Sequence, residues 1–223
     1  MNYNKTGIYL HIPFCRNKCD YCNFYSIPAD AGSPLIRSYI KKIMEEINNL
    51  PDDWYLSNAD SIYFGGGTPS LLSPVDVELL ISSIRSRFSI SGDAEVTLEM
   101  NPEDFSSEKI RGYMDCGINR IVFGVQSLDP LLRKNLGRRG KTEIKKKLDE
   151  FFHEPGFVKC IDLITGIPGQ SEDDCLDDLK IITGYRPEHI SLYLLSLESG
   201  TPLSRRLIPD EFFEEMQLRV WKR

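Results

Sequence analysis

Six short runs rich in β-branched and aromatic residues punctuate the chain: Ile8–Ile12, Ser61–Phe64, Glu95–Glu99, Arg120–Phe123, Val158–Leu163 and His189–Leu194. Each is bounded by glycine, proline or polar residues, which reads as a strand. The stretches between them carry helix signals. Ser33-Pro34 precedes Leu35–Leu50 and Ser73-Pro74 precedes Val75–Phe88. In both, a side-chain cap is followed by proline in the first turn, where a missing N–H costs nothing. Further helices are expected at Ser107–Cys116, Pro130–Leu136, Thr142–His153 and Glu172–Thr183, with Gly117 placed to end one of them, and Asp210–Arg223 also reads as helix.

Strands alternating with helices through right-handed crossovers make a parallel sheet. A complete eight-unit barrel takes about 250 residues, so six units in 223 residues predict an α/β fold in the form of a partial (β/α)6 TIM-like barrel. One domain, 1–223, is expected. In such a sheet ligands bind beyond the carboxyl ends of the strands. Each of the six strands runs into an unusual polar or glycine-rich stretch: Cys15 to Cys22, Gly65-Gly66-Gly67-Thr68-Pro69, Glu99 with Asn101-Pro102, Gly124-Val125-Gln126-Ser127, Gly166-Ile167-Pro168-Gly169-Gln170 just after Asp162, and Ser196-Leu197-Glu198. These stretches are expected to share one face.

Composition narrows the classes of function. The chain has 27 basic and 33 acidic residues, a net charge of −6, and its basic groups are scattered except at Arg138-Arg139 and Lys145–Lys147. Nucleic acid is therefore not the expected partner. No apolar run approaches the roughly 18 residues that a spanning helix needs, and the first residues do not resemble a signal peptide. An integral membrane segment is not expected, and a cytoplasmic location is.

Of the six cysteines, Cys15, Cys19 and Cys22 crowd one short segment, while Cys116, Cys160 and Cys175 lie far apart in expected core elements, where each reads as a small buried hydrophobe. In a reducing compartment such crowding favours metal ligation over disulfides. The spacing lets one loop direct three thiolates at three irons of a 4Fe-4S cluster and leave the fourth iron open. Clusters that only pass electrons have four protein ligands. An open iron suits chelation of the amino and carboxylate groups of S-adenosylmethionine, whose sulfonium is then cleaved by an electron. The alternatives are a zinc site with His11 as fourth ligand, or incidental cysteines; zinc ligands usually come in pairs from two segments, and no second pair is present.

The other candidates each carry two readings. The glycine run permits close backbone approach to a ligand, or makes a tight turn. Glu99 is a hydrogen-bond acceptor for a ligand or a solvated strand end, and Gln126 a donor and acceptor or a loop amide. Arg138 suits a carboxylate or is surface charge. Asp162 sits in an otherwise apolar strand, so it needs a partner, whether a ligand or a structural donor.

Tyr9-Leu-His-Ile-Pro-Phe-Cys15-Arg-Asn-Lys-Cys19-Asp-Tyr-Cys22-Asn-Phe resembles the opening of the oxygen-independent coproporphyrinogen III oxidase family of radical S-adenosylmethionine proteins, which includes the HemW haem chaperones. Phe64-Gly-Gly-Gly-Thr-Pro-Ser, Glu99-Met-Asn-Pro, Gly124-Val-Gln126-Ser and Asp162-Leu-Ile-Thr-Gly-Ile-Pro-Gly-Gln170 occur in the family's order. The resemblance implies a radical SAM barrel with Cys15, Cys19 and Cys22 as cluster ligands. It implies Tyr9, Gly66 and Glu99 as contacts to cluster-bound S-adenosylmethionine. Gly67, Thr68, Gln126, Arg138, Asp162 and Ser196 match further cofactor-contacting positions, some assigned to a second molecule in the oxidase.

Phe24 stands where the oxidase has a fourth cysteine, the oxidase's N-terminal extension is missing before the first strand, and Cys22-Asn-Phe-Tyr-Ser looks like the haem-chaperone version of the loop. The resemblance thus implies the HemW-like branch, with haem or porphyrinogen as further ligand and a flavodoxin or ferredoxin as electron donor. That branch's His-Asn-x-x-Tyr-Trp motif and C-terminal domain do not occur in these residues, so only a core domain is expected. Three functions are compatible with this reading: a haem-handling chaperone, an oxidase converting coproporphyrinogen III propionates to vinyl groups, or an iron-sulfur scaffold or electron-transfer protein without S-adenosylmethionine chemistry. Catalysis, if present, would be of the coproporphyrinogen III dehydrogenase type.

Overall fold

The computed structural model describes residues 5–51, 58–138, 140, 142–207 and 219. Six strands, β1 (Lys5–Ile12), β4 (Asn58–Gly66), β5 (Ser89–Met100), β6 (Arg120–Gln126), β7 (Val158–Thr165) and β8 (His189–Leu194), form one sheet in the order β1-β4-β5-β6-β7-β8. Every neighbouring pair is parallel, so each crossover adds the next strand on the same side. The sheet is the expected open barrel. The short strands β2 (Phe14–Cys15) and β3 (Ile27–Pro28) also pair in parallel. At two residues each they are too short for any periodicity to announce them.

The strands alternate. Leu10, Ile12, Ile62, Phe64, Val96, Leu98, Ile121, Phe123, Ile161 and Leu163 belong to the main hydrophobic core under the helices. Their neighbours in sequence, among them Tyr9, Tyr63, Glu99, Gly124 and Asp162, fall by the period of two on the concave inner face. The inner face is therefore polar, which leaves it suited to a ligand rather than to packing.

The helices are α1 (Pro34–Asn48), α2 (Pro74–Arg87), α3 (Ser107–Asp115), α4 (Pro130–Asn135), α5 (Ile144–His153), α6 (Glu172–Gly184) and α7 (Pro202–Arg206). In α2 the Ser73 hydroxyl accepts from the Asp76 amide at 3.2 Å while the Asp76 carboxylate accepts from the Ser73 amide at 2.9 Å, a reciprocal cap. Val77, Leu80, Ile81 and Ile84 recur at helical spacing and are fully buried, each contributing about 2 kcal/mol. Gly117 closes α3 at φ 102°. Its amide donates to Met114 O at 2.8 Å and the Ile118 amide to Tyr113 O at 3.0 Å, a bond pair that needs a left-handed residue between them. Phe123 of β6 stacks on Phe151 of α5 at 4.4 Å, with Phe105 edge-on to both.

The observed elements follow the expected ones, with strands β1, β4, β5, β6 and β7 running longer at one or both ends. Helix α7 was not foreseen, being five residues long. The helix expected over Asp210–Arg223 lies outside the described residues apart from Arg219, which is helical. Cys116, Cys160 and Cys175 are buried, as small hydrophobes should be. No helix among the described residues is long and apolar enough to cross a membrane.

Candidate functional site

The cysteine loop leaves β2 and is tied down on both sides. The Arg16 guanidinium bonds the Asp104 carboxylate, which also accepts from Ser70 Oγ at 2.8 Å. On the other side the Asp20 amide donates to Leu136 O at 2.9 Å, Asp20 O accepts from the Leu203 amide at 2.8 Å, and Arg206 Nη2 donates to Asp20 Oδ2 at 2.7 Å. At the loop's ends, Ile27 N donates to Pro13 O at 2.6 Å and Ala29 N to Cys15 O at 3.0 Å. The Cys22 amide donates to Cys19 O at 3.2 Å, which fixes the turn between them.

All three thiols are free and half-buried. Burial pushes the Cys15 and Cys22 thiols up, and the Cys19 charge adds to both. Among the described residues no three His, Cys, Asp or Glu side chains converge on a single-ion position. His11, the fourth ligand of the zinc alternative, is engaged elsewhere: its Nδ1 lies 3.1 Å from Tyr9 OH. Three thiols spread round a loop suit a polynuclear cluster, in which each binds a different iron.

The loop forms one wall of a cavity of about 420 Å³ at the carboxyl ends of the strands. Of the residues nominated from sequence, all except Tyr9 line it. Gly67 is required by its neighbours, since a Cβ there would lie 2.7 Å from Phe14 O and 2.9 Å from Ile12 O. At Gly66, φ is 112° and a Cβ would meet the His11 ring at 2.6 Å. The glycine run is thus a steric necessity that brings β4 against the cysteine loop and lets the Gly66 amide bond Glu99.

A hydrogen-bonded path crosses the cavity wall. Thr68 Oγ1 donates to Cys15 Sγ at 3.4 Å and accepts from Asn101 Nδ2 at 3.3 Å. Arg138 Nη1 donates to Asn101 Oδ1 at 3.0 Å and to Gly124 O at 3.2 Å, and Nη2 reaches Tyr21 OH at 3.5 Å. Burial pulls the Arg138 guanidinium down, but Tyr21 and Cys19 more than offset it, so the group stays charged. Buried Arg133 beside it is lowered to about 10 by burial and by the Arg138 charge.

Glu99 and Asp162 share the inner face. Burial raises both carboxyls; Tyr63 OH, donating to Glu99 Oε1 at 2.8 Å, pulls Glu99 back, as Ser191 does Asp162. Among the described residues four buried side-chain polar atoms lack a partner: Ser83 Oγ, Gln126 Oε1, Arg138 Nε and Asp162 Oδ1. Three of the four residues line this one cavity. Buried polar atoms are nearly always satisfied, so a cluster of exceptions marks where a polar ligand belongs.

Tyr9 stands beside the cavity, its ring stacked on Tyr63 at 6.0 Å. It is linked to the site through Tyr63, which donates to Glu99, and through His11, whose ring lies against Gly66. Ser196 lies exposed on the rim with its Oγ bonded to Glu198 Oε1 at 2.8 Å. The Gly166–Gln170 loop turns away: Gln170 Oε1 accepts from the Ile167 amide at 3.1 Å and Pro168 O from Asn135 Nδ2 at 2.8 Å. Five of the six strand-end stretches therefore face the cavity. Sequence reasoning missed Tyr21 and Tyr63. Tyr63 was legible in principle, because it stands two residues before Gly65 and between the core residues Ile62 and Phe64.

Residues 9–182 match the profile of the radical SAM superfamily. The chain is 36% identical over 212 residues to the haem chaperone HemW of Escherichia coli (strain K12), covering 92% of this chain and 55% of that protein. It is 33% identical over 205 residues to anaerobilin synthase of Escherichia coli O157:H7, covering 90% of this chain and 45% of that protein. Among solved structures, coproporphyrinogen III oxidase (HemN) from Escherichia coli, a radical SAM enzyme, shares the fold with a TM-score of 0.83 at 23% identity, over 98% of this chain and 50% of that one. The chain spans about half the length of these relatives. The family implies a 4Fe-4S cluster and S-adenosylmethionine, and a three-thiol loop beside a cavity with unpartnered amide, guanidinium and carboxylate atoms fits both. The chain belongs to the radical SAM superfamily, is closely related to the HemW haem chaperones and shares the fold of HemN.

Proposed function

We propose that 1–223 is a radical SAM core that holds a 4Fe-4S cluster on Cys15, Cys19 and Cys22 and S-adenosylmethionine in the adjoining cavity, and that it handles haem in the cytoplasm as a HemW-like chaperone. The observation that carries the cofactor assignment is the coincidence of three unpartnered buried polar atoms with the cysteine loop in one cavity. The haem assignment is supported by the likeness to HemW.

One-electron cleavage of the sulfonium is the chemistry that the bound pair supplies, with a flavodoxin or ferredoxin as electron source. The residues of this chain bind and orient. Thr68 aligns the Cys15 sulfur through its hydroxyl, and Asn101 fixes Thr68. The Glu99 carboxylate would accept a hydrogen bond from the cofactor's amino group with Gly66 at its side, and Tyr9 would back it through Tyr63. Gln126 and Asp162 offer amide and carboxylate oxygens to ammonium or hydroxyl groups. Arg138 keeps a charged N–H aimed into the cavity, and Gly67 and Ser196 present backbone at its two ends.

Anaerobic reconstitution followed by addition of haem, or of coproporphyrinogen III with S-adenosylmethionine and reductant, separates the readings. A stable haem complex without porphyrinogen turnover is the expected result. Conversion of propionates to vinyl groups with release of deoxyadenosine would replace the chaperone by the oxidase.

A further inference from the structure

The turn after β6 is held from outside the cavity. Gln126 ends that strand at φ 70°, and the register with β7 slips between Gly124 and Gln126. A residue with a side chain keeps that backbone only where its surroundings impose it. The turn is tight, with the Ser127 amide donating to Val125 O at 2.9 Å. Its constraint comes from α6. The Asp178 carboxylate accepts from Ser127 Oγ at 2.8 Å and from the Leu128 amide at 3.2 Å, and Ser127 Oγ in turn accepts from the Asp129 amide at 3.2 Å. Ser127 is fully buried and Asp178 nearly so. The carboxylates of Asp129 and Asp174 carry the same charge as Asp178 and repel it. A buried carboxylate among acids is a costly way to hold a turn, and an apolar side chain would pack there more cheaply.

We propose that Asp178 is a positioning residue for Gln126: by fixing Ser127 and Leu128 it holds Gln126 in its left-handed backbone conformation and keeps its unpartnered amide in the cavity wall. The inference rests on the reading that Gln126 contacts S-adenosylmethionine. Nothing in Asp178 touches the cavity, and its action passes through the turn alone.

The test is a double-mutant cycle on reconstituted protein, reading S-adenosylmethionine affinity for the parent, Gln126→Ala, Asp178→Ala and the double variant, with cluster absorbance as control. Each single change is expected to weaken binding about tenfold, the usual size for one buried hydrogen bond to a charged group. The double variant is expected to lose no more than either, because Asp178 has nothing left to position. In the cluster-free chain, Asp178→Ala should speed hydrogen exchange of the Leu128 amide. If Asp178→Ala will not fold, Ser127→Ala removes one of the same bonds and takes its place in the cycle. Parental affinity in the Asp178 or Ser127 variant, or losses that multiply in the double variant, would overturn the inference while leaving the Gln126 reading intact. Parental affinity in Gln126→Ala would overturn that reading and the inference together.

Discussion

Arg206 donates to the Asp20 carboxylate at 2.7 Å across 186 residues of chain, joining α7 to the middle of the cysteine loop. Asp20 lies between Cys19 and Cys22, so this ion pair acts on the segment that must present two thiols together. Arg206 is half-exposed while Asp20 is largely buried. With its guanidinium half in solvent and screened, the pair is worth no more than about 1 kcal/mol of global stability. Arg206→Ala should therefore leave the melting temperature almost unchanged, yet release iron to a chelator several times faster than the parent. Equal release rates would show that the loop is held by its backbone bonds alone.

The three loop cysteines and the three core cysteines should separate cleanly. Cys19→Ala is expected to abolish the cluster absorbance and, with it, S-adenosylmethionine binding, because two thiolates hold a cubane poorly. Cys175→Ala removes only a small buried side chain from α6 and should reconstitute normally, with about 1 kcal/mol lost from packing. Retention of cofactor binding in Cys19→Ala is the result that would contradict this assignment.

Asp162 is expected to oppose stability in order to serve the ligand. Burial pushes its carboxyl above the ordinary 3.8, and a carboxyl raised in the folded state keeps a proton that the unfolded chain has released. Its contribution to stability is then full below that ordinary value and is lost as pH rises through the raised one. Asp162→Asn should melt higher than the parent at neutral pH when ligand-free. The gap should shrink as pH falls toward 3.8. The same variant should bind S-adenosylmethionine about tenfold more weakly with its cluster spectrum intact. Loss of the cluster would make Asp162 a structural residue.

Gly67→Ala tests the approach of β4 to the cysteine loop. A Cβ there meets two backbone carbonyls, which cannot swing aside as a side chain would. The change should cost about 1–3 kcal/mol and reduce cluster loading as well, since Phe14 directly precedes Cys15. Thermal melting and iron content together check it, and unchanged iron content would place the glycine's importance in folding alone.

The fold was legible because the strand pattern repeats and the capping residues stand in plain view, as at Ser73-Pro74-Val75-Asp76. The lining of the cavity was legible in part because strand ends converge in any parallel sheet, so nominating Glu99, Gln126 and Asp162 required no tertiary contact, while Thr68 came from the resemblance. Residues whose role depends on a distant partner stayed hidden. Asp178 reads as one of several acids on α6 until Ser127 is seen against it, and Arg206 reads as surface charge until Asp20 is. Tyr9 shows the converse: the motif marks it, and the structure seats it beside the cavity, against Tyr63.

The most direct test of the central claim is the electron paramagnetic resonance spectrum of the anaerobically reconstituted, reduced protein before and after S-adenosylmethionine is added. An iron left open by three thiolates should give a 4Fe-4S signal that changes shape on addition and is missing from Cys19→Ala. A cluster signal that the cofactor leaves unaltered would contradict the assignment of this cavity.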